Sequence, residues 1–150
     1  MLQPEELWAF RSREGSWERW NLLGLKHYIQ KYPLCELYID KISKLFKFVY
    51  NKEIFSKAKI DMERRIVQIK PITPQEDIKS VAHEIYHLVY NIGGGYHQFY
   101  YGFGGFEELI EREVNRLYLE ESKLMLYLQS IFGIPKEKIY ENENQLKLFN

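Results

Sequence analysis

Five consecutive residues, His83-Glu84-Ile85-Tyr86-His87, spell H-E-x-x-H. On a helix, side chains four positions apart share one face, so both imidazoles can reach a single metal ion. The carboxylate between them then stands where it can take a proton from water activated by that ion. Those residue types at that spacing are what metal-assisted hydrolysis of a peptide bond requires.

The surrounding sequence supplies the helix. Thr73-Pro74-Gln75-Glu76 reads as its start, with Thr73 as N-cap, Pro74 at the first helical position and Glu76 completing a capping box. Ile78, Val81, Ala82, Ile85, Leu88, Val89 and Ile92 recur at three- and four-residue spacing and predict one apolar stripe. His83, Glu84, His87 and Asn91 fall on the other, polar side, and Gly93-Gly94-Gly95 ends the run.

Catalytic zinc usually takes three protein ligands and leaves a fourth position for water. A third histidine six residues beyond the second is absent, because that position is Gly93. His97 is one candidate; the other is a glutamate from the segment Phe106–Leu117, read as part of one long helix. Its buried stripe is expected at Ile110, Val114, Leu117, Leu124, Leu128 and Ile131. Glu111 and Glu113 flank that stripe on opposite sides, while Glu108 points further outward. Asn115, one turn after Glu111, could accept a hydrogen bond from the second nitrogen of a ligating histidine. The expected order for the third ligand is therefore Glu111, then Glu113, then His97.

Glu111-Arg112-Glu113-Val114-Asn115 downstream of His83-Glu84-x-x-His87 resembles the ImmA/IrrE-type gluzincins, small intracellular zinc peptidases of which many act on transcriptional repressors. The similarity spans about Lys57 to Glu121, and minimal single-domain gluzincins are comparable. Val114 stands where that family prefers Ala, and Leu117-Tyr118 where it prefers Phe-Ala. The resemblance implies one zinc ion per chain held by His83, His87 and Glu111, with Glu84 as the base. It also implies a zincin-like fold, with a small sheet packed on the motif helix.

The 150 residues suit a single domain with a core of its own. Formal net charge is zero, which removes the main electrostatic argument for a nucleic-acid partner. A local basic excess, nine Lys and Arg between Lys41 and Lys70, precedes the acidic group Glu107, Glu108, Glu111 and Glu113. Cys35 is the one cysteine, so no internal disulfide can form, and it reads as a small core residue. The first residues have no apolar run, and no stretch has the length of a membrane span. The expected location is cytoplasmic, without membrane contact; oligomeric state is not encoded in any pattern recognised in the chain.

The elements that must position the motif follow from periodicity. Residues 1–45 read as helical, from Pro4 to about Tyr32 with Trp8, Trp17 and Trp20 as core anchors. After the break at Pro33, a second helix carries Leu34, Leu37, Tyr38, Lys41, Ile42 and Leu45. Residues 46–121 hold the sheet, the motif helix and the ligand helix. Phe46–Tyr50 alternates as a strand, and Lys57–Met62 and Arg65–Lys70 form a hairpin around Glu63-Arg64. One hairpin strand, most plausibly Lys57–Met62, is expected at the sheet edge, where an extended substrate could pair with it. Residues 134–150 read as a polar tail. The order predicts an α+β, zincin-like domain with a mainly antiparallel sheet, N-terminal helices and a long C-terminal helix.

The segment Gly93–Gly105 holds six of the nine glycines together with Tyr96, His97, Phe99, Tyr100, Tyr101 and Phe103. It reads as a pocket wall or lid next to the motif helix. The expected activity is hydrolysis of a protein or peptide substrate, such as an intracellular regulator. The competing expectation is a silent or latent metal-stabilised module that binds a protein without cutting it. A DNA-associated protease of the SprT type is a weaker third, opposed by the neutral charge and the histidine spacing.

Overall fold

A computed structural model of the chain describes residues 22–90 and 105–135. The expected helix before residue 22 with its three tryptophans, segment 93–104 with His97, and the tail beyond Pro135 lie outside the described residues. Among those described, five helices accompany a three-stranded mixed sheet. In chain order they are α1 (Leu22–Lys31), α2 (Glu36–Leu45), β1 (Lys47–Tyr50), β2 (Ala58–Asp61), β3 (Ile66–Ile69), α3 (Pro74–Tyr90), α4 (Gly105–Glu120) and α5 (Ser122–Ile131).

Pro33 separates α1 from α2, as its fixed φ and missing N–H require. Tyr38, Ile39 and Ile42 form the buried side of α2, with Leu34 buried just before it. Leu37, expected in that stripe, is exposed instead. Ile39 takes the inward position because it lies next to Tyr38 and three residues before Ile42. Cys35 is in no disulfide and is partly buried at the edge of the core.

The hairpin forms as expected, with Ala58 opposite Ile69 and Asp61 opposite Ile66. Asp61 Oδ1 accepts a 3.0 Å hydrogen bond from Arg64 N inside the turn, and Arg65 closes it at φ 57. The expectation of a mainly antiparallel sheet is corrected. The strand order is β1-β3-β2, and β1 runs parallel to β3, with Lys47 opposite Ile66 and Tyr50 opposite Ile69. The reason lies in β3: Val67 and Ile69 are its buried residues, so it takes the centre and leaves β1 and β2 as edges. Asn51 holds the exit of β1 beside β3, its N–H donating to Ile69 O at 2.9 Å and its Nδ2 to Gln68 Oε1 at 2.6 Å.

Helix α3 lies on β2 and β3 and also meets α2, α4 and α5. Its start is built by two side chains. Thr73 Oγ1 accepts from Glu76 N at 3.1 Å, and buried Asp77 reaches back to accept from Ile72 N at 3.0 Å. The reciprocal contact expected of Glu76 is thus made by Asp77, while Glu76 stands 4.0 Å from the Lys57 ammonium. The stripe from Ile78 to Val89 is buried as expected, but so are Tyr86 and Tyr90. The far end is tied down where the Tyr90 hydroxyl donates to the Tyr32 carbonyl.

The expected long C-terminal helix is two helices. The chain breaks at Glu121, which adopts φ −116 and ψ 58. A continuous helix would need an apolar residue three or four positions after Leu117, and those positions are Glu120 and Glu121. With the stripe interrupted, α4 buries Leu109, Ile110, Val114 and Leu117, and α5 restarts it with Met125 and Leu128. The Tyr127 hydroxyl donates to Asp40 Oδ1, joining α5 to α2, and this bond pushes its pKa up to about 12. No helix among the described residues is long and apolar enough to cross a membrane.

Candidate metal centre

The packing of α4 against α3 turns the polar side of the motif helix into a buried site. His83 and His87 are each only 8% exposed, against the expectation that their side of the helix faces away from the packed interior. Their Nε2 atoms point at each other 3.2 Å apart. A side-chain oxygen of Glu84 lies 4.0 Å from His83 Nε2. Donor atoms from His83, Glu84 and His87 all fall within 4.8 Å of one another, a group that could hold a metal ion.

A second carboxylate closes on the same two nitrogens from α4. Glu107 Oε2 is 2.6 Å from His83 Nε2, and its Oε1 is 2.7 Å from His87 Nε2. Glu111, expected as the third ligand, is placed differently. Its Oε1 lies 2.9 Å from Nδ1 of His83, on the opposite edge of the ring. Glu113, the second candidate, is occupied elsewhere, accepting from Arg116 Nη2 at 3.2 Å and from Nε at 3.3 Å. Glu108 and Asn115 are both exposed.

Sequence reasoning missed Glu107, and a signal for it was available. It stands three residues before Ile110 and seven before Val114, so it occupies the phase of the buried stripe. An ionisable residue in an apolar stripe is rarely buried without a partner, and here the partners are two imidazoles. The acidic group it belongs to invited a solvated reading, because its neighbour Glu108 is exposed.

The two inner carboxyls feel opposite fields. Burial pushes the Glu84 pKa up, and the negative charges of Glu107 and Glu111 add to that push while the imidazoles oppose it. For Glu107, burial pushes upward too, but hydrogen bonds from His83 and His87 win and hold the carboxyl well below the usual range. A buried tyrosine lies within the motif: Tyr86 stacks on Tyr90, and burial, with Glu113 nearby, raises its pKa.

Comparison of the chain with models of protein families, with curated protein sequences and with solved structures finds no match. The case for a function therefore stands on the site.

Proposed function

We propose that this chain is a zinc-dependent metallopeptidase whose ion is held by His83, His87 and Glu107, with Glu84 as the general base. The observation that carries the reading is the 3.2 Å separation of the two Nε2 atoms. Glu107, at hydrogen-bond distance from both (2.6 and 2.7 Å), would draw back by about half an ångström to share an ion with them. Two ligands of a tetrahedral zinc with bonds of about 2.0–2.1 Å stand about 3.3 Å apart. Two imidazoles and one carboxylate are also a donor set that suits zinc and leaves a position for water or substrate.

Zinc in this place would supply a Lewis acid that polarises a scissile carbonyl and lowers the pKa of water. Glu84 takes the proton of the attacking water and delivers it to the departing amine. Its place suits that work, because Glu84 is held beside the two imidazoles, with an oxygen 4.0 Å from His83 Nε2. Without the ion Glu107 is ionised and bridges the two Nε2 atoms. With the ion, the protons of those nitrogens would have to leave for the same three groups to become its ligands. A peptide substrate also fits the sheet. Among the described residues strand β2 is an edge, and α3 packs on it, so an extended chain could add to that edge by backbone hydrogen bonds.

Elemental analysis of protein purified with added zinc tests the site, and cleavage of an unstructured peptide pool tests the chemistry. The expected result is one zinc per chain, absent from His83→Ala and Glu107→Ala. Glu84→Gln should keep the zinc and lose hydrolysis by about 10²–10⁴-fold. Protein free of zinc, or a Glu84→Gln variant that cleaves like the wild type, would overturn the proposal.

A further inference from the structure

His83 is gripped on both edges of its ring by carboxylates from the same helix. Glu107 and Glu111 are four residues apart on α4, so their side chains rise from one face, one turn from each other. The first meets Nε2 at 2.6 Å, the second Nδ1 at 2.9 Å. His83 Nδ1 is itself shielded from solvent and has no aligned hydrogen bond. The Glu111 oxygen is close enough for an ion pair and lies off the line of the ring N–H. No other described acceptor serves that nitrogen, and an acceptor is what a metal-binding imidazole needs on its outer edge.

We infer that Glu111 is a positioning residue that fixes the ring and tautomer of His83 through Nδ1, while Glu107 is the carboxylate facing the ion. This rests on the metal reading above and assigns different work to two glutamates of similar chemistry. With a proton held on Nδ1 by Glu111, His83 would offer the Nε2 lone pair to the ion once Nε2 gives up the proton it shares with Glu107. The contact is partly solvated, with the Glu111 side chain 52% exposed against 31% for Glu107. Solvent screening therefore places its effect at the modest end of what outer partners of metal ligands contribute.

The test is zinc affinity, measured by chelator competition on full-length wild type, Glu107→Ala, Glu111→Ala and Glu111→Gln. Cobalt(II) absorption spectra of the same proteins report the ligand set, and circular dichroism checks that each is folded. Glu111→Ala should weaken zinc binding about tenfold, with an unchanged cobalt spectrum. Glu111→Gln, which keeps an oxygen acceptor, should recover most of that loss. Glu107→Ala should lose far more affinity and change the spectrum. Wild type that binds neither metal would remove the metal reading itself. Wild type that binds zinc, with Glu111→Ala matching its affinity, would overturn the positioning role alone. A Glu111→Gln variant as weak as Glu111→Ala, with an altered cobalt spectrum, would make Glu111 a ligand and also overturn it.

Discussion

The two helices that make the site are held in place by different means. Helix α3 is enclosed: among its 17 residues, Tyr86, His87, Leu88, Val89 and Tyr90 are buried in succession. It meets the sheet and three other helices, so its rotation is determined from several directions. Helix α4 packs on α1, α3 and α5 rather than on the sheet, and among the described residues it buries fewer: Leu109, Ile110, Val114 and Leu117 are held in, with Glu111, Arg112 and Asn115 exposed. The two imidazoles therefore come from a fixed frame, and the carboxylate from an element whose phase depends on a few apolar contacts. A rotation of α4 by one residue, about 100°, would bring Glu108 to the place of Glu107 and carry Glu107 away from the imidazoles.

The largest effect that separates the helices is a matched pair of core truncations. Ile85 of α3 and Ile110 of α4 are both fully buried, so Ile85→Ala and Ile110→Ala should each destabilise the fold by about 2–5 kcal/mol in urea titrations. Zinc affinity of the folded protein should distinguish them. The Ile85 variant keeps near wild-type affinity because α3 has many other anchors. The Ile110 variant loses affinity because Ile110 lies one turn from Glu107 and helps set the phase of α4. Equal losses in the two would show that both helices are equally well fixed and would break the comparison.

The same contrast explains what could be read from the sequence. Helix α3 was legible down to its cap, because Thr73-Pro74 and the run from Ile78 to Val89 all state one phase. The hairpin was legible from alternation on either side of Glu63-Arg64. The parallel pairing of β1 with β3 was not, because strand order is decided by which strand buries most, and β1 alternates as well as β3 does. The long C-terminal helix was misread because Ile110, Val114 and Leu117 continue plausibly into Leu124 and Leu128 if Glu120 and Glu121 are passed over. The approach of Glu107 to the imidazoles was not legible for a related reason: it stands within the stripe rather than beside it, where an acid is unexpected until the two imidazoles are known to face it.

A smaller effect uses the two inner carboxyls of the metal-free protein, which should respond to neutralisation with opposite signs. The folded-state pKa of Glu84 is raised, so its charged form costs the folded protein stability at neutral pH, and that cost is relieved as pH falls through the raised value. Glu84→Gln should therefore raise stability and Tm at pH 7, with the gain shrinking as the pH is lowered. Glu107 is the reverse. Its depressed pKa contributes stability above the ordinary carboxylate range that is lost as pH falls through the depressed value. Glu107→Gln should lower stability at pH 7 by about 1–2 kcal/mol, with the deficit closing in acid. Urea midpoints across pH 3–8 check both, and two changes of the same sign would refute the opposed fields at the site.

The smallest effect concerns the start of α3, two and a half turns before His83. Removing the Thr73 hydroxyl leaves Glu76 N without its 3.1 Å acceptor, so Thr73→Ala should cost about 1 kcal/mol. Asp77, fully buried, still takes the Ile72 N–H, so the helix keeps one of its two terminal bonds. If α3 is as firmly enclosed as its packing indicates, the loss appears only in global stability. Amide exchange at Ile85 and Tyr86 should then slow and quicken with global unfolding alone, and zinc affinity should stay at the wild-type value. Faster exchange confined to residues 83–87 would mean that the cap, rather than the surrounding helices and sheet, holds the two imidazoles in register.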